Sequence, residues 1–264
     1  MQNNFPAEGA AHPIDESVSQ SHTNMQTSSM NAEELAQFEQ FKKLKLLEQT
    51  RVRISKVECD CLCPTATRAQ LKNLCREAER LSLGGIVVFP AYVKPCVAYL
   101  GSDPSCSLVA AISYPHGGDS TEGKVAAVRR AVKDGVDEVE VCASSAALID
   151  GNMSYFKREC KKLVRAARQR ALRLVLDCAI LTERDIVRAC NCAADCGVSV
   201  IRLVNVSGLT LLTSAKSALR DRCLLKSDGQ TVPEMSEAEA LGVSLINCDK
   251  AIEICSQMLK DLKY

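Results

Sequence analysis

The chain has 264 residues, of which 47% are hydrophobic and 25% are charged, so it can bury a core of ordinary size. Its formal net charge is +1, and no overall electrostatic field attracts nucleic acid or an anionic membrane surface. It has no Trp, five Phe and five Tyr, few aromatic rings for stacking nucleic-acid bases. No stretch approaches the roughly 18 apolar residues of a membrane-spanning helix. We therefore expect neither nucleic acid nor membrane as a partner.

The N-terminal segment lacks the cationic start and apolar run of a secretion signal, which predicts a cytoplasmic protein. Fifteen cysteines are then expected to stay reduced. Their densest groups, Cys59-x-Cys61-x-Cys63 and Cys190-x-Cys192-x3-Cys196, lack the CxxC pairs typical of structural zinc. No Walker-type or dinucleotide-binding glycine pattern is present. The sequence thus predicts no metal and no cofactor.

Residues 1–30 are rich in Gln, Asn, Ser and Thr, a composition that predicts a disordered tail. Asn31 then precedes a helix over 31–50, with acidic residues early and lysines late, as the helix dipole favours. Leu35, Phe38 and Phe41 recur at helical spacing. This helix either packs on the remainder of the chain or binds a partner, and packing is the more common use of such a pattern.

From residue 52 onward, short apolar runs alternate with amphipathic stretches. The predicted strands are 52–58, 85–89, 107–114, 138–143, 172–178, 198–204, 222–226 and 243–247. Eight strands, each followed by a helix, predict an α/β fold, an eight-stranded parallel β/α (TIM) barrel with an extra N-terminal helix. Residues 31–264 would form one domain. Because side chains alternate along a strand, Glu58 and Asp60 share one face of the first strand.

Several segments carry a family resemblance. The turn YPHGG at 114–118 is followed by Thr121 and Lys124 and then by the strand VDEVE. The segments VECDCLCPTATRAQL and GGIVVFPAYV match the family's first two strands and the turns after them. In this order and spacing, the chain from about residue 52 to 250 resembles the deoxyribose-phosphate aldolases. These enzymes cleave 2-deoxyribose 5-phosphate through a Schiff base on a lysine of strand six.

The resemblance places Arg202 where that lysine belongs, in the segment VIRLVNVSG. A Schiff base requires a neutral primary amine, whereas a guanidinium stays protonated and delocalises its lone pairs. Arg202 therefore cannot form the imine. The small residues that follow the lysine in the family are replaced by Leu203, Val204 and Asn205.

Other positions of the family's site are altered or retained in part. Glu140 and Glu58 stand at the acidic positions of strands four and one, each one methylene longer than the family's aspartate. Lys226 matches the second lysine, on strand seven, which in the family lowers the pKa of the imine-forming amine. Tyr264 ends the chain, as a tyrosine that assists proton transfer often ends these aldolases.

The family's phosphate-binding turns also differ. Their backbone amides cradle the substrate phosphate after strands seven and eight. Here the turns contain Ser227, Asp228 and Gly229, and Asn247 and Cys248. Asp228 and Asp249 bring negative charge to this site, which disfavours a phosphate dianion unless Lys250 compensates.

These departures predict a non-catalytic aldolase-like protein, in which Arg202 neutralises the inherited acids and the fold acts by binding a protein. Fructose-bisphosphate aldolases, a separate family, bind actin filaments, so filamentous actin is the first partner to test by analogy. Two alternatives stay open. Lys226 could act as a relocated Schiff-base lysine in an altered aldolase, or Arg202, Lys226 and Lys250 could bind a sugar phosphate in a sensor.

Overall fold

Eight parallel strands lie side by side in chain order and close into a barrel. The computed structural model describes residues 31–262. The strands are β1 (Val57–Cys61), β2 (Gly85–Val88), β3 (Ser107–Ile112), β4 (Glu138–Cys142), β5 (Ala171–Asp177), β6 (Val200–Val204), β7 (Leu224–Asp228) and β8 (Leu245–Asn247). The predicted TIM barrel is confirmed. The predicted tail over residues 1–30 and the terminal Tyr264 lie outside the described residues.

Helices connect the strands, and one long helix precedes them. They are α1 (Ala32–Ile54), α2 (Arg68–Leu81), α3 (Val93–Leu100), α4 (Thr121–Asp134), α5 (Ser145–Ile149), α6 (Met153–Ala167), α7 (Glu183–Asp195), α8 (Leu209–Leu219), α9 (Val232–Ala240) and α10 (Ala251–Asp261). A single 3-10 turn, Pro90–Tyr92, leads into α3.

The starts of α2 and α7 are specified locally by their own side chains. Thr67 accepts a hydrogen bond from the amide of Gln70, whose side chain accepts one from the Thr67 amide. Thr182 and Asp185 form the same reciprocal pair at α7. Each pair satisfies two backbone donors that a helix start would otherwise leave unpaired.

The first strand begins later than predicted. Residues 52–54, expected to open it, continue α1 instead, and the strand starts at Val57. Ile54 is buried in the core, and Arg53 Nε donates to Glu239 Oε2 at 3.0 Å. These contacts favour helix at a position whose apolar and polar alternation suggested a strand. The other strands begin or end within two residues of their predicted limits.

The chain divides into two compact units after Glu48. In the first, the described residues form the first part of α1, where Asn31 Oδ1 accepts from the Glu34 amide at 2.9 Å. The second unit contains the end of α1 and the barrel. The packing of the N-terminal helix, and its membership of one domain with the barrel, stay predictions.

Side-chain alternation separates two interiors in the barrel. The outward side chains of the strands, such as Ile86, Leu108 and Val139, belong to the main apolar core with the helices. Inside the barrel, Val87, Val109 and Ala111 form a small apolar patch. The remaining strands fill their inward positions largely with charged side chains, which form the candidate site.

Candidate functional site inside the barrel

Eight charged side chains project into the barrel from five strands. Their inward direction follows from strand parity, because they occupy alternate positions on β1, β4 and β7 and one position each on β5 and β6. They are Glu58, Asp60, Glu138, Glu140, Arg173, Arg202, Lys226 and Asp228. The register pairs Arg202 with Lys226 on adjacent strands. The barrel thus gathers residues up to 170 positions apart into one network.

Arg202 lies at the centre of this network and is paired to three carboxylates. Its Nη1 donates to Glu140 Oε1 at 2.8 Å. Its Nη2 donates to Asp60 Oδ2 at 2.8 Å and to Asp228 Oδ1 at 2.9 Å. The residue is 2% exposed. The ion-pair network expected from the sequence is therefore present around Arg202.

Lys226 is fully buried and is held between two further carboxylate oxygens. Its Nζ donates to Glu58 Oε2 at 2.5 Å and to Glu140 Oε2 at 3.1 Å. Glu140 consequently bridges both cations, with one oxygen on each. Attack of Lys226 on a carbonyl would require the ammonium to lose a proton and both of these partners.

Arg173 is a third buried cation, which the sequence analysis missed. It donates twice to Glu138, from Nε and Nη2, each at 2.7 Å. Its Nη1 also donates to both oxygens of Glu58 at 2.7 Å. The signal was available in the strand ALRLVLD, where Arg173 is the one basic residue and shares its parity with Asp177.

The electrostatics of the network divide its acids into two groups. Burial disfavours the Glu140 carboxylate, but the charges of Lys226 and Arg202 outweigh burial and lower its pKa to about 2. Burial likewise disfavours the ionised form of Glu58, but the charges of Lys226 and Arg173 outweigh burial and lower the pKa of this carboxyl. At Asp60 and Asp228 burial prevails, and their pKa values are raised although Arg202 opposes the shift. Five acids and three bases meet here, so a proton on one of these aspartates reduces the excess negative charge.

Two buried side-chain atoms in the described part of the chain have no hydrogen-bond partner, Arg202 Nε and Asn247 Oδ1. Asn247 pairs in register with Asp228 and with Glu58, so it belongs to the same inward row. One donor and one acceptor are left for a water molecule or another small polar group.

The two turns that resemble phosphate-binding turns use their backbone amides internally. After β7, the Gly229 amide donates to Asn247 O at 2.9 Å and the Gln230 amide to Glu234 Oε2 at 2.8 Å. After β8, the Cys248 amide donates to Glu58 O at 2.9 Å and the Asp249 amide to Gln230 Oε1 at 3.3 Å. These amides are not available to an incoming anion while those bonds exist.

A groove of about 250 Å³ lies beside these turns, between the end of β7, α8 and α9. Three carboxylates line it, those of Asp228, Glu234 and Glu237, and none of its lining residues is Lys or Arg. Lys250, the cation that could compensate these charges, is exposed at the start of α10. The groove therefore has the wrong charge for a phosphate dianion.

The remaining predicted phosphate-site residues point elsewhere. Ser227 and Cys248 are buried. Cys248 Sγ contacts Gln230 Oε1 at 3.6 Å, on the side away from the charged interior. A Cβ on Gly229 would lie 3.1 Å from Ile246 Cγ2, so close packing alone explains a glycine there.

Thr121 and Lys124, which carried part of the family resemblance, belong to a separate buried link. Lys124 Nζ lies 3.1 Å from Glu159 Oε1, and both side chains are inaccessible to solvent. Glu159 Oε2 also accepts from the Ser144 amide at 3.3 Å. This pair ties α4 and α6 to the loop after β4 and does not reach Arg202. Sequence analysis did not identify Glu159.

The cysteines form no metal centre within residues 31–262, where no group of three or more His, Cys, Asp or Glu is placed to hold an ion. Cys59 is buried and Cys61 half-buried, but Cys63 is exposed in the loop after β1. No helix in the described region has both the length and the apolar character that crossing a bilayer requires.

The chain is similar to known proteins in sequence and in fold. No protein-family model matches the chain. It is 30% identical over 152 residues to a deoxyribose-phosphate aldolase of Clostridium botulinum, a match covering 57% of this chain and 71% of that protein. It is 27% identical over 202 residues to that of Caldicellulosiruptor saccharolyticus, covering 73% and 91%. The fold is similar to that of the deoxyribose phosphate aldolase from Aeropyrum pernix, with a TM-score of 0.71, 18% identity, and coverage of 88% of this chain and 100% of that one.

Proposed function

We propose that this chain, which belongs to the deoxyribose-phosphate aldolase family, does not cleave 2-deoxyribose 5-phosphate and acts by binding a protein. The observation that supports the first part is that Arg202, which the resemblance places at the position of the imine-forming lysine, is bound to three carboxylates. A guanidinium provides no neutral primary amine for a Schiff base.

Lys226 offers the main alternative, an altered aldolase with a relocated lysine. Its amine is fully buried and is bonded to Glu58 and Glu140. Both carboxylates hold the amine by hydrogen bonds, which it would have to give up before it could attack a carbonyl. This geometry favours a structural ion pair over a nucleophile.

A sugar-phosphate sensor is the second alternative. The occupied amides of both turns and the acidic lining of the adjacent groove argue against it. Arg202 and Lys226 are both engaged with carboxylates, so neither has a free charge to offer a phosphate. A phosphate would have to displace an internal acid before it could bind.

Imine trapping tests the loss of catalysis. The protein is incubated with a short aldehyde and borohydride, and covalent adducts are measured by mass spectrometry together with cleavage of 2-deoxyribose 5-phosphate. We expect neither an adduct inside the barrel nor turnover, whereas a lysine-containing aldolase of the family gives both. An adduct that disappears in Lys226→Ala would establish the altered aldolase instead.

We infer protein binding because internal ion pairs occupy the part of the barrel where a small substrate would react. Filamentous actin is the first partner to test, by analogy with another aldolase family. Co-sedimentation with polymerised actin measures it directly, with bovine serum albumin as the non-binding control. Pelleting above that control supports actin as the partner, and pelleting at the control level excludes it.

A further inference from the structure

The solvent-exposed face of α6 is almost entirely cationic. Residues 153–170 contain seven Lys and Arg and a single acid, Glu159, which is buried against Lys124. The exposed residues of the helix and its C-cap are Ser154 and six cations, Lys157, Arg158, Lys161, Lys162, Arg165 and Arg168. They recur at three- and four-residue spacing and span about 17 Å along the helix axis.

Few carboxylates of the protein neutralise this face. Among the described residues, Lys162 alone of the six has an acid within 4.0 Å, Glu122 on α4 at 2.8 Å. The other nearby acids are engaged elsewhere: Asp195 pairs with Arg222, and Asp137 lies 3.8 Å from Arg170. Five cations of the face are therefore free to bind external anions.

The arrangement is unfavourable for the isolated helix. Lys157 and Lys161, and Lys161 and Arg165, are like charges four residues apart, and such pairs disfavour a helix. Buried contacts offset the repulsion, because Phe156, Cys160 and Leu163 on the opposite side are fully buried. Packing of the barrel thus holds six like charges on one face of the helix, a geometry preformed for an anionic partner.

A groove adjoins this face on the side of α7. It has a volume of about 440 Å³ and is lined by both helices, with Lys157 and Arg188 contributing positive charge and Met153 and Cys192 contributing apolar surface. Asp195 also lines the groove, and its carboxylate is paired with Arg222. Arg188 has no carboxylate within 4.0 Å in the described part of the chain. Such a groove fits a side chain of a peptide whose neighbouring carboxylates meet the cations.

We propose that the α6 face, with the groove beside it, binds an acidic segment of a protein partner. The inference deepens the proposed function, because it assigns the surface through which protein binding occurs. A protein segment is favoured over nucleic acid because the exposed residues of the face include no aromatic side chain for base stacking. The partly apolar groove also suits a peptide side chain better than a sugar-phosphate backbone.

The test uses a labelled polyglutamate peptide of about 12 residues, which matches the length of the face when helical and exceeds it when extended. Binding is measured by fluorescence anisotropy at about 50 mM and about 300 mM salt. The test variant carries Arg158→Glu, Lys161→Glu and Arg165→Glu. The matched control carries Arg68→Glu, Lys72→Glu and Arg129→Glu, three exposed cations elsewhere, and so has the same net charge. Circular dichroism and thermal unfolding verify that both variants fold.

We expect salt-sensitive binding that the α6 variant weakens by about tenfold or more, while the control stays within about twofold of the parent. Equal weakening of binding in both variants would overturn the assignment of this surface, since net charge alone would then explain the binding. Absence of binding at low salt, or tighter binding of a single-stranded oligonucleotide of equal charge, would also overturn it.

Actin co-sedimentation of the same variants separates the two proposals. If the parent pellets with actin and the α6 variant pellets equally, this surface is wrong and protein binding stands. If the variant loses polyglutamate and the parent does not pellet, the surface stands and actin is excluded as its partner.

Discussion

Arg202 and Glu140 are joined by a 2.8 Å hydrogen bond at the centre of the barrel, and Glu140 extends its other oxygen to Lys226 at 3.1 Å. One carboxylate thus holds both cations that the sequence resemblance assigns to the family's lysine positions. The guanidinium is compatible with this arrangement because it offers several donors in fixed directions, which a single amine does not.

Restoring the amine alone is not expected to restore aldolase activity. In Arg202→Lys, the new ammonium would face Asp60, Glu140 and Asp228, whose charges stabilise its protonated form. The turns that would position a phosphate remain occupied. We expect no borohydride-trapped adduct and no cleavage of 2-deoxyribose 5-phosphate. Measurable turnover of this variant would mean that the rest of the site is intact.

The free energy of unfolding should decrease at acid pH because Glu140 becomes protonated. Its folded-state pKa of about 2 lies below the ordinary value of 4.5, so its contribution is fully present above pH 4.5 and is lost as pH falls towards 2. The shift corresponds to about 3 kcal/mol. In Glu140→Gln, the free energy of unfolding, measured by urea denaturation, should therefore fall less steeply as the pH drops below 4.5. Glu122→Gln, which removes an exposed ion pair, is the control, and its unfolding free energy should depend on pH as that of the parent does.

Asp60 and Asp228 should affect the pH dependence of the unfolding free energy in the opposite direction to Glu140. Their raised pKa values mean that the folded state binds protons more tightly than the unfolded state, so their contribution declines as pH rises through those values. The free energy of unfolding of the parent should consequently be highest at a pH above the range in which Glu140 ionises and below the range in which Asp60 and Asp228 lose their protons. A stability that rises steadily from acid to neutral pH in Glu140→Gln would contradict this assignment.

Sugar phosphates should not stabilise the protein. The groove beside the turns presents three carboxylates, and backbone donors of both turns are already bonded. Thermal unfolding with 2-deoxyribose 5-phosphate or inorganic phosphate should leave the Tm unchanged, whereas an active member of the family should be stabilised by its substrate. A saturable rise in Tm that Arg202→Met abolishes would support the sensor.

The buried pair of Lys124 and Glu159 should behave as one structural unit. Lys124→Met leaves Glu159 buried without its cation and should lower the free energy of unfolding by about 3 kcal/mol. Adding Glu159→Leu removes the stranded charge and should recover part of that loss. Urea unfolding of the parent, both single variants and the double variant gives the coupling. Additive effects would exclude a direct interaction.

Much of the architecture followed from local patterns, because the hydrophobic alternation that specifies strands and helices depends on near neighbours in the chain. It predicted eight strand–helix units and the shared face of Glu58 and Asp60. The start of β1 was wrong, since the burial of Ile54 and the contact of Arg53 with Glu239 extend α1 past the point where alternation suggested a strand.

Arg202 illustrates what the sequence by itself determined. The chemistry of a guanidinium is a property of the residue, so the prediction that Arg202 forms no imine required no knowledge of its partners. Which carboxylates surround it was decided by the tertiary structure alone. Asp60 lies 142 positions from Arg202, and Arg173 reaches Glu58 across 115 positions. Closure of the barrel brings such distant side chains into contact, and burial in that shared interior then raises the pKa of Asp60 while its cations lower that of Glu140.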